Sequence, residues 1–181
     1  ELNAIVIDLK SDLRDDLGTV YYDSQVPLVK ELGTARDYVD LGAFLAEAKK
    51  RGIYTIARVQ VFSHDNALAD ARPEWTIKDA ATGKTYADLP GPGIRYAWLD
   101  PWNKNVWSYN IQLSVEAAQM GFDEINYDYI RYPDGAVATY SQEYSFSQPT
   151  DPKNNPGAMY QNIADFLKES HRAINGAGAF L

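Results

Sequence analysis

Cysteine is absent from the 181 residues, which excludes disulfides, thiol nucleophiles and every cysteine-based zinc site. Histidine occurs only twice, as His64 and His171. They lie too far apart for an H-x-H or H-E-x-x-H pattern, so nothing supports a histidine zinc hydrolase, and neither metal nor cofactor is expected. No apolar run approaches the ~20 residues that a membrane helix needs, and no signal-peptide pattern opens the chain. Positive charge is also short: 17 Lys and Arg against 25 acidic residues leave a net charge of −8. No basic cluster offsets that balance, so a phosphate backbone is repelled and nucleic acid is not an expected partner. Phosphate-binding loops of the G-x-G-x-x-G or Walker type are missing, as is the G-x-S-x-G elbow of a serine nucleophile.

What remains has a globular composition, with 45% hydrophobic and 23% charged residues, enough for one domain, residues 1–181, with its own core. Glu1 stands where a start methionine would, and "AIVI" follows almost at once, so the chain reads as drawn from a longer protein. Thirteen tyrosines and four tryptophans supply flat rings that suit sugar faces and equally fill cores.

Short apolar runs alternate with helical stretches. "NAIVIDL" (3–9) reads as a first strand, continuous in Ile and Val as in a strand covered on both faces. Asp40 then precedes Leu41, Phe44, Leu45 and Ala48, with Lys49, Lys50, Arg51 and Gly52 behind them. That is a cap, an apolar stripe, C-terminal cations and a terminating glycine. "IYTIARVQVF" (53–62) is a second strand, and 63–99 carries turn signals rather than a period. Asp100 and Pro101 predict the start of a helix that Gly121 ends. "GFDEINYDYIRYP" (121–133) holds a third strand, 134–156 is irregular, and a last helix is predicted over about 157–174 before "GAGAFL" opens what reads as a further strand.

The order β-α-β-α-β-α-(β) implies parallel strands with helical crossovers. An open doubly wound sheet and part of a TIM (β/α)₈ barrel both fit. Long loops after strands, short turns before them and the missing phosphate loop favour the barrel. A complete barrel takes ~250 residues, so the fold class expected is α/β, an incomplete TIM (β/α)₈ barrel of three or four units. Its open edges would invite self-association.

Polar groups fall late in each strand and on one face. Asp8 ends the first, Arg58 and Gln60 share a face of the second, and Asn126 and Asp128 share a face of the third, opposite Ile125, Tyr127 and Tyr129. Three adjacent parallel strands would gather these five at one rim. A structural ion pair between Asp128 and Arg58 accounts for two of them as well as a site does, and Asp8 also suits a turn. Asp123 and Glu124 read as a solvated edge or as partners of basic residues.

"NAIVIDLKSD", "GIYTIARVQVF…ARPEW", "WLDPWNKNVWSYNI" and above all "GFDEINYDYIRYP" resemble, in order and spacing, a bacterial family of proposed glycoside hydrolase domains. The resemblance covers nearly the whole chain, and the last motif is the specific one. It implies a (β/α)₈ barrel similar to the alpha-amylase and alpha-galactosidase clans. By the same resemblance, Asp128 matches the nucleophile of a retaining mechanism and the substrate is a carbohydrate. Asp8, Arg58, Gln60 and Asn126 would then bind substrate with Arg131 in the loop beyond. Trp98 and Trp102, which flank Asp100, become candidate stacking platforms or loop packing. The general acid is expected outside this chain. Family members are often exported, which points to an extracellular or cell-surface bacterial protein. A non-catalytic carbohydrate-binding barrel and a purely structural fragment are the alternatives.

Overall fold

The computed structural model describes residues 2–134, 144–145 and 155–181. In chain order its elements are β1 (Ala4–Asp8), α1 (Pro27–Leu32), α2 (Leu41–Lys50), β2 (Tyr54–Gln60), α3 (Asn66–Ala71), β3 (Lys78–Asp79), β4 (Ala87–Gly91), β5 (Ile94–Ala97), α4 (Lys104–Met120), β6 (Glu124–Asp128), β7 (Tyr144–Ser145) and α5 (Pro156–Gly176). β1, β2 and β6 form a parallel sheet in that order. The predicted further strand is present in outline: Phe180 bridges Glu124 in parallel, and the Ile125 N–H donates to the Phe180 carbonyl at 2.8 Å. The protein is therefore α/β with a parallel sheet, as the alternation of elements implied.

The sheet has two unlike faces. Ala57, Val59 and Ile125 are buried on one of them, where α2 and α4 pack. Buried side chains on α4 recur as Val106, Asn110, Leu113 and Ala117, the stripe that a helix lays on a sheet. Phe166 of α5 closes this core, 5.4 Å from the rings of Tyr127 and Trp107 and 5.2 Å from Phe62. The opposite face is open, and Val6 on β1 remains 54% exposed there. Among the described residues no helix is long and apolar enough to cross a membrane.

Several boundaries differ from the sequence reading for local reasons. α2 starts as predicted, Asp40 accepting from the Ala43 N–H at 2.9 Å. Asp100, however, does not cap α4. It is buried and accepts from the Trp102 N–H, making a turn, while Asn103 takes the cap by accepting from the Asn105 N–H. Asp-Pro served a tight turn here instead of a helix start. Segment 63–99 is not irregular throughout: it holds α3 and the β4–β5 hairpin, elements too short to show a period. Most of 134–156 lies outside the described residues. Asp123 and Glu124 meet Thr55 and the Tyr54 hydroxyl, and among the described residues neither pairs with a Lys or Arg.

Beneath the β1 loop sits a fully buried ion pair. Lys10 Nζ donates to Asp65 at 2.8 Å and to Asn110 at 3.0 Å, with both charged side chains at 0% exposure. Asp65 uses its other oxygen to cap α3 through the Leu68 N–H. Gly18 packs so tightly there that a Cβ would stand 2.2 Å from Asp65 Oδ1, and its φ is +85°. Only glycine fits that position.

Candidate active site

Register fixes which polar groups meet. Asp8 pairs with Arg58, Arg58 with Asn126, and Gln60 with Asp128, and residues paired across a sheet share a face. Two consecutive rows of the open face therefore carry all five of the strand residues picked out above, at the C-terminal ends of three neighbouring strands.

Arg58 organises the cluster. Its Nε and Nη2 donate to Asp128 Oδ2 at 3.0 and 2.7 Å, and its Nη1 donates to Asp8 Oδ1 at 2.8 Å. Turned with its amide oxygen toward Arg58, Gln60 accepts from Nη1 at 2.8 Å and donates to the Lys10 carbonyl. Asp12, in the loop after β1, accepts from Nη2 at 3.3 Å. Asp12 and Asp128 thus share one nitrogen, so those two oxygens are no farther apart than the sum of their distances to it. Asn126 is exposed on the same face.

Burial opposes the charge on Asp128, yet the Arg58 hydrogen bonds, the Tyr129 N–H and the guanidinium charge outweigh it and hold the carboxyl below its ordinary range. Burial likewise opposes the charge on Arg58, and its bonds to Asp8 and Asp128 more than reverse that. Among the described residues, Oδ2 of Asp128 accepts two hydrogen bonds and Oδ1 only one, from the Tyr129 N–H at 2.7 Å. A carboxylate offers about four lone-pair directions, so Oδ1 keeps one free for attack on a substrate atom.

Asp12, His64 and Tyr129 escaped the sequence reading. Asp12 gave a faint signal, an aspartate four residues past Asp8 in the loop after a strand end. Strand alternation places Tyr129 on the far face, but the strand stops at Asp128 and Tyr129 has φ +54°. Its ring instead stacks on His64 at 4.1 Å, and Tyr96 from β5 covers the other side of His64 at 4.0 Å. Burial lowers the pKa of His64, more than the carboxylates of Asp12, Asp88 and Asp128 raise it.

The two tryptophans do not offer open ring faces in equal measure. Trp98 is 0% exposed, donates to Asp88 and lies in a small core with Ile77 and Met159, so it packs the loops. Trp102 is partly buried against that core. Arg131 sits over the Trp98 ring at 5.0 Å and pairs with Asp134 at 2.8 Å. It borders the cluster without a hydrogen bond to Asp128 among those described. Among the described residues no three His, Asp or Glu are grouped to hold a metal ion.

Parallel strands with carboxylates and a guanidinium at their C-terminal ends make this an α/β protein with a polar cluster at the strand ends, the side of a parallel sheet where ligands of α/β proteins in general bind. Solved structures of glycoside hydrolases share this fold. TtGalA, an alpha-galactosidase from Thermus thermophilus in complex with p-nitrophenyl alpha-D-galactopyranoside, is 17% identical at a TM-score of 0.59, matching 97% of this chain and 30% of its own. Alpha-L-fucosidase isoenzyme 2 from Paenibacillus thiaminolyticus is 18% identical at a TM-score of 0.55, matching 97% of this chain and 25% of its own. This chain thus spans under a third of either enzyme. A hypothetical protein from Ruminiclostridium thermocellum ATCC 27405 is 31% identical, with a TM-score of 0.75 over 95% of this chain and 78% of that one. No curated protein matches the sequence. Residues 1–181 match in full the family described as "Putative glycosyl hydrolase domain", and the chain belongs to that family.

Proposed function

We propose that these residues form the first part of a (β/α)₈ glycoside hydrolase barrel that cleaves oligo- or polysaccharide, with Asp128 as the nucleophile of a retaining mechanism. The observation that carries this reading is Asp128 itself. It ends β6, the parallel strand beside β2, stays ionised through Arg58 and keeps a lone pair on Oδ1. In the first step Oδ1 bonds to the anomeric carbon while the glycosidic C–O bond breaks, and a general acid protonates the departing oxygen. Water then cleaves the glycosyl ester, giving its proton to the same residue. Asp12 and Asp8, paired with Arg58, suit charge stabilisation of the oxocarbenium-like transition state better than proton donation. The acid is assigned to the part of the barrel beyond these residues, on the pattern of the longer enzymes that share the fold. An exported or cell-surface bacterial protein fits this substrate class.

The test is proton NMR of the anomeric region in the parent protein and its Asp128→Asn variant, with a panel of alpha- and beta-linked oligosaccharides. New reducing-end signals are expected from the parent alone, with the retained anomer appearing first. Turnover by Asp128→Asn would refute the assignment and leave the Asp128–Arg58 pair a structural role.

A further inference from the structure

Apart from glycines, two described residues have positive φ, His64 at +65° and Tyr129 at +54°, and they stack on each other at the end of the sheet. Bulky L-residues avoid this region unless their surroundings enforce it, and such residues cluster at functional sites. Here each follows the C-terminal end of a strand, four residues past β2 and one past β6.

We propose that the Tyr96–His64–Tyr129 stack is a positioning device for Asp128, clamping Tyr129 in the left-handed turn so that its N–H is reserved for Asp128 Oδ1. The inference rests on the reading of Asp128 as the working carboxylate. The Asp128 carbonyl accepts from the Val61 N–H on the β2 side at 3.0 Å. Across the same trans peptide, the Tyr129 N–H therefore points to the opposite flank, where Phe180 already pairs with Glu124 and Ile125. An extended Tyr129 would prolong β6 along that flank and offer its N–H to the ladder. The left-handed turn ends the strand instead, and the N–H donates to Oδ1 at 2.7 Å. Asp128 is then gripped from both flanks, by Arg58 on one and by its own chain on the other.

Three contacts hold the turn. The Phe62 N–H donates to the Tyr129 carbonyl at 3.2 Å. The His64 ring covers Tyr129 at an interplanar angle of 26°. Tyr96 backs His64 at 29°, and Asn66 fixes the strand carrying Tyr96 through the Ala97 N–H and the Arg95 carbonyl. His64 makes one hydrogen bond among the described residues, between Nδ1 and the Ser63 hydroxyl at 3.1 Å. Among the described residues, the charged and titratable groups facing Asp128 are Arg58 from β2, Asp8 and Asp12 through that guanidinium, His64 and the Tyr129 phenol.

Two variants separate ring from charge. His64→Asn tolerates positive φ and loses the ring; His64→Phe keeps a ring and loses the imidazole. The readout is the Tyr129 amide in nitrogen–proton NMR spectra of the 181-residue chain through an acid titration, since that proton senses ionisation of Asp128. In the unsubstituted chain and in His64→Phe the amide should titrate below the ordinary aspartate range. In His64→Asn the midpoint should rise toward that range and the amplitude shrink. An unchanged midpoint in His64→Asn overturns the proposal, and so does an equal rise in both variants, which would trace the effect to imidazole charge. Where the parent turns over sugar, kcat should fall in His64→Asn by up to ~100-fold, as for a misplaced reactive group, and recover in His64→Phe. A parent without turnover would defeat the glycosidase reading while the amide titration still decided this one.

Discussion

Replacing Lys10 with Met tests how the loop beneath the site is held. Lys10 and Asp65 are wholly buried, 2.8 Å apart, and Asn110 accepts a second proton of the ammonium. Methionine fills the space of the lysine stem but leaves the Asp65 carboxylate, among the described residues, with only the Leu68 N–H. Breaking one side of a buried pair costs about 3–5 kcal/mol, because a desolvated charge loses its partner. Against a typical total of ~5–15 kcal/mol, that is about a fifth of the stability or more. At ~2–3 kcal/mol per molar urea, the unfolding midpoint should drop on the order of 1–2 M. Tryptophan fluorescence can follow it, since Trp98 and Trp107 are buried. Asp65→Asn keeps the Leu68 cap while removing the charge, so the double variant should be more stable than the two single losses sum to, by ~1–3 kcal/mol. A cost below ~1 kcal/mol for Lys10→Met, or an additive cycle, would refute the reasoning.

Gly18→Ala should destabilise by more than ~1 kcal/mol, since φ is +85° and the new methyl meets Asp65 Oδ1, which the Leu68 N–H holds while Lys10 holds Oδ2; an unchanged urea midpoint would contradict the packing. His64 supplies a pH signature. Its folded pKa lies below 6.5 because burial resists its charge, so between those values the unfolded chain binds the proton first. Stability should therefore be fully present above pH 6.5 and fall as pH drops toward the folded pKa, by linkage. His64→Asn should flatten that slope in urea titrations across the window, and an identical slope in the variant would count against it.

The sequence by itself determined the alternation of strands and helices, the cap at Asp40 and the shared face of Asp8, Arg58, Gln60, Asn126 and Asp128. Each follows from a local rule, the period of two in a strand and the periodicity and capping of a helix, and the parallel register then aligned the rows. The sequence did not reveal that Asp100 makes a turn, that Trp98 is sealed inside the loops, or that α3 and the β4–β5 hairpin exist, because such short pieces have no period to read. Tertiary structure alone decided the second layer of the site. Asp12 joins Asp128 only because Arg58 reaches both across the sheet, and Tyr129 leaves its expected face because a stack with His64 and Tyr96, 65 and 33 positions away in the chain, holds it in a backbone conformation that no local preference favours. Contacts of that range are paid for by the whole fold, so no local pattern in the sequence announces them.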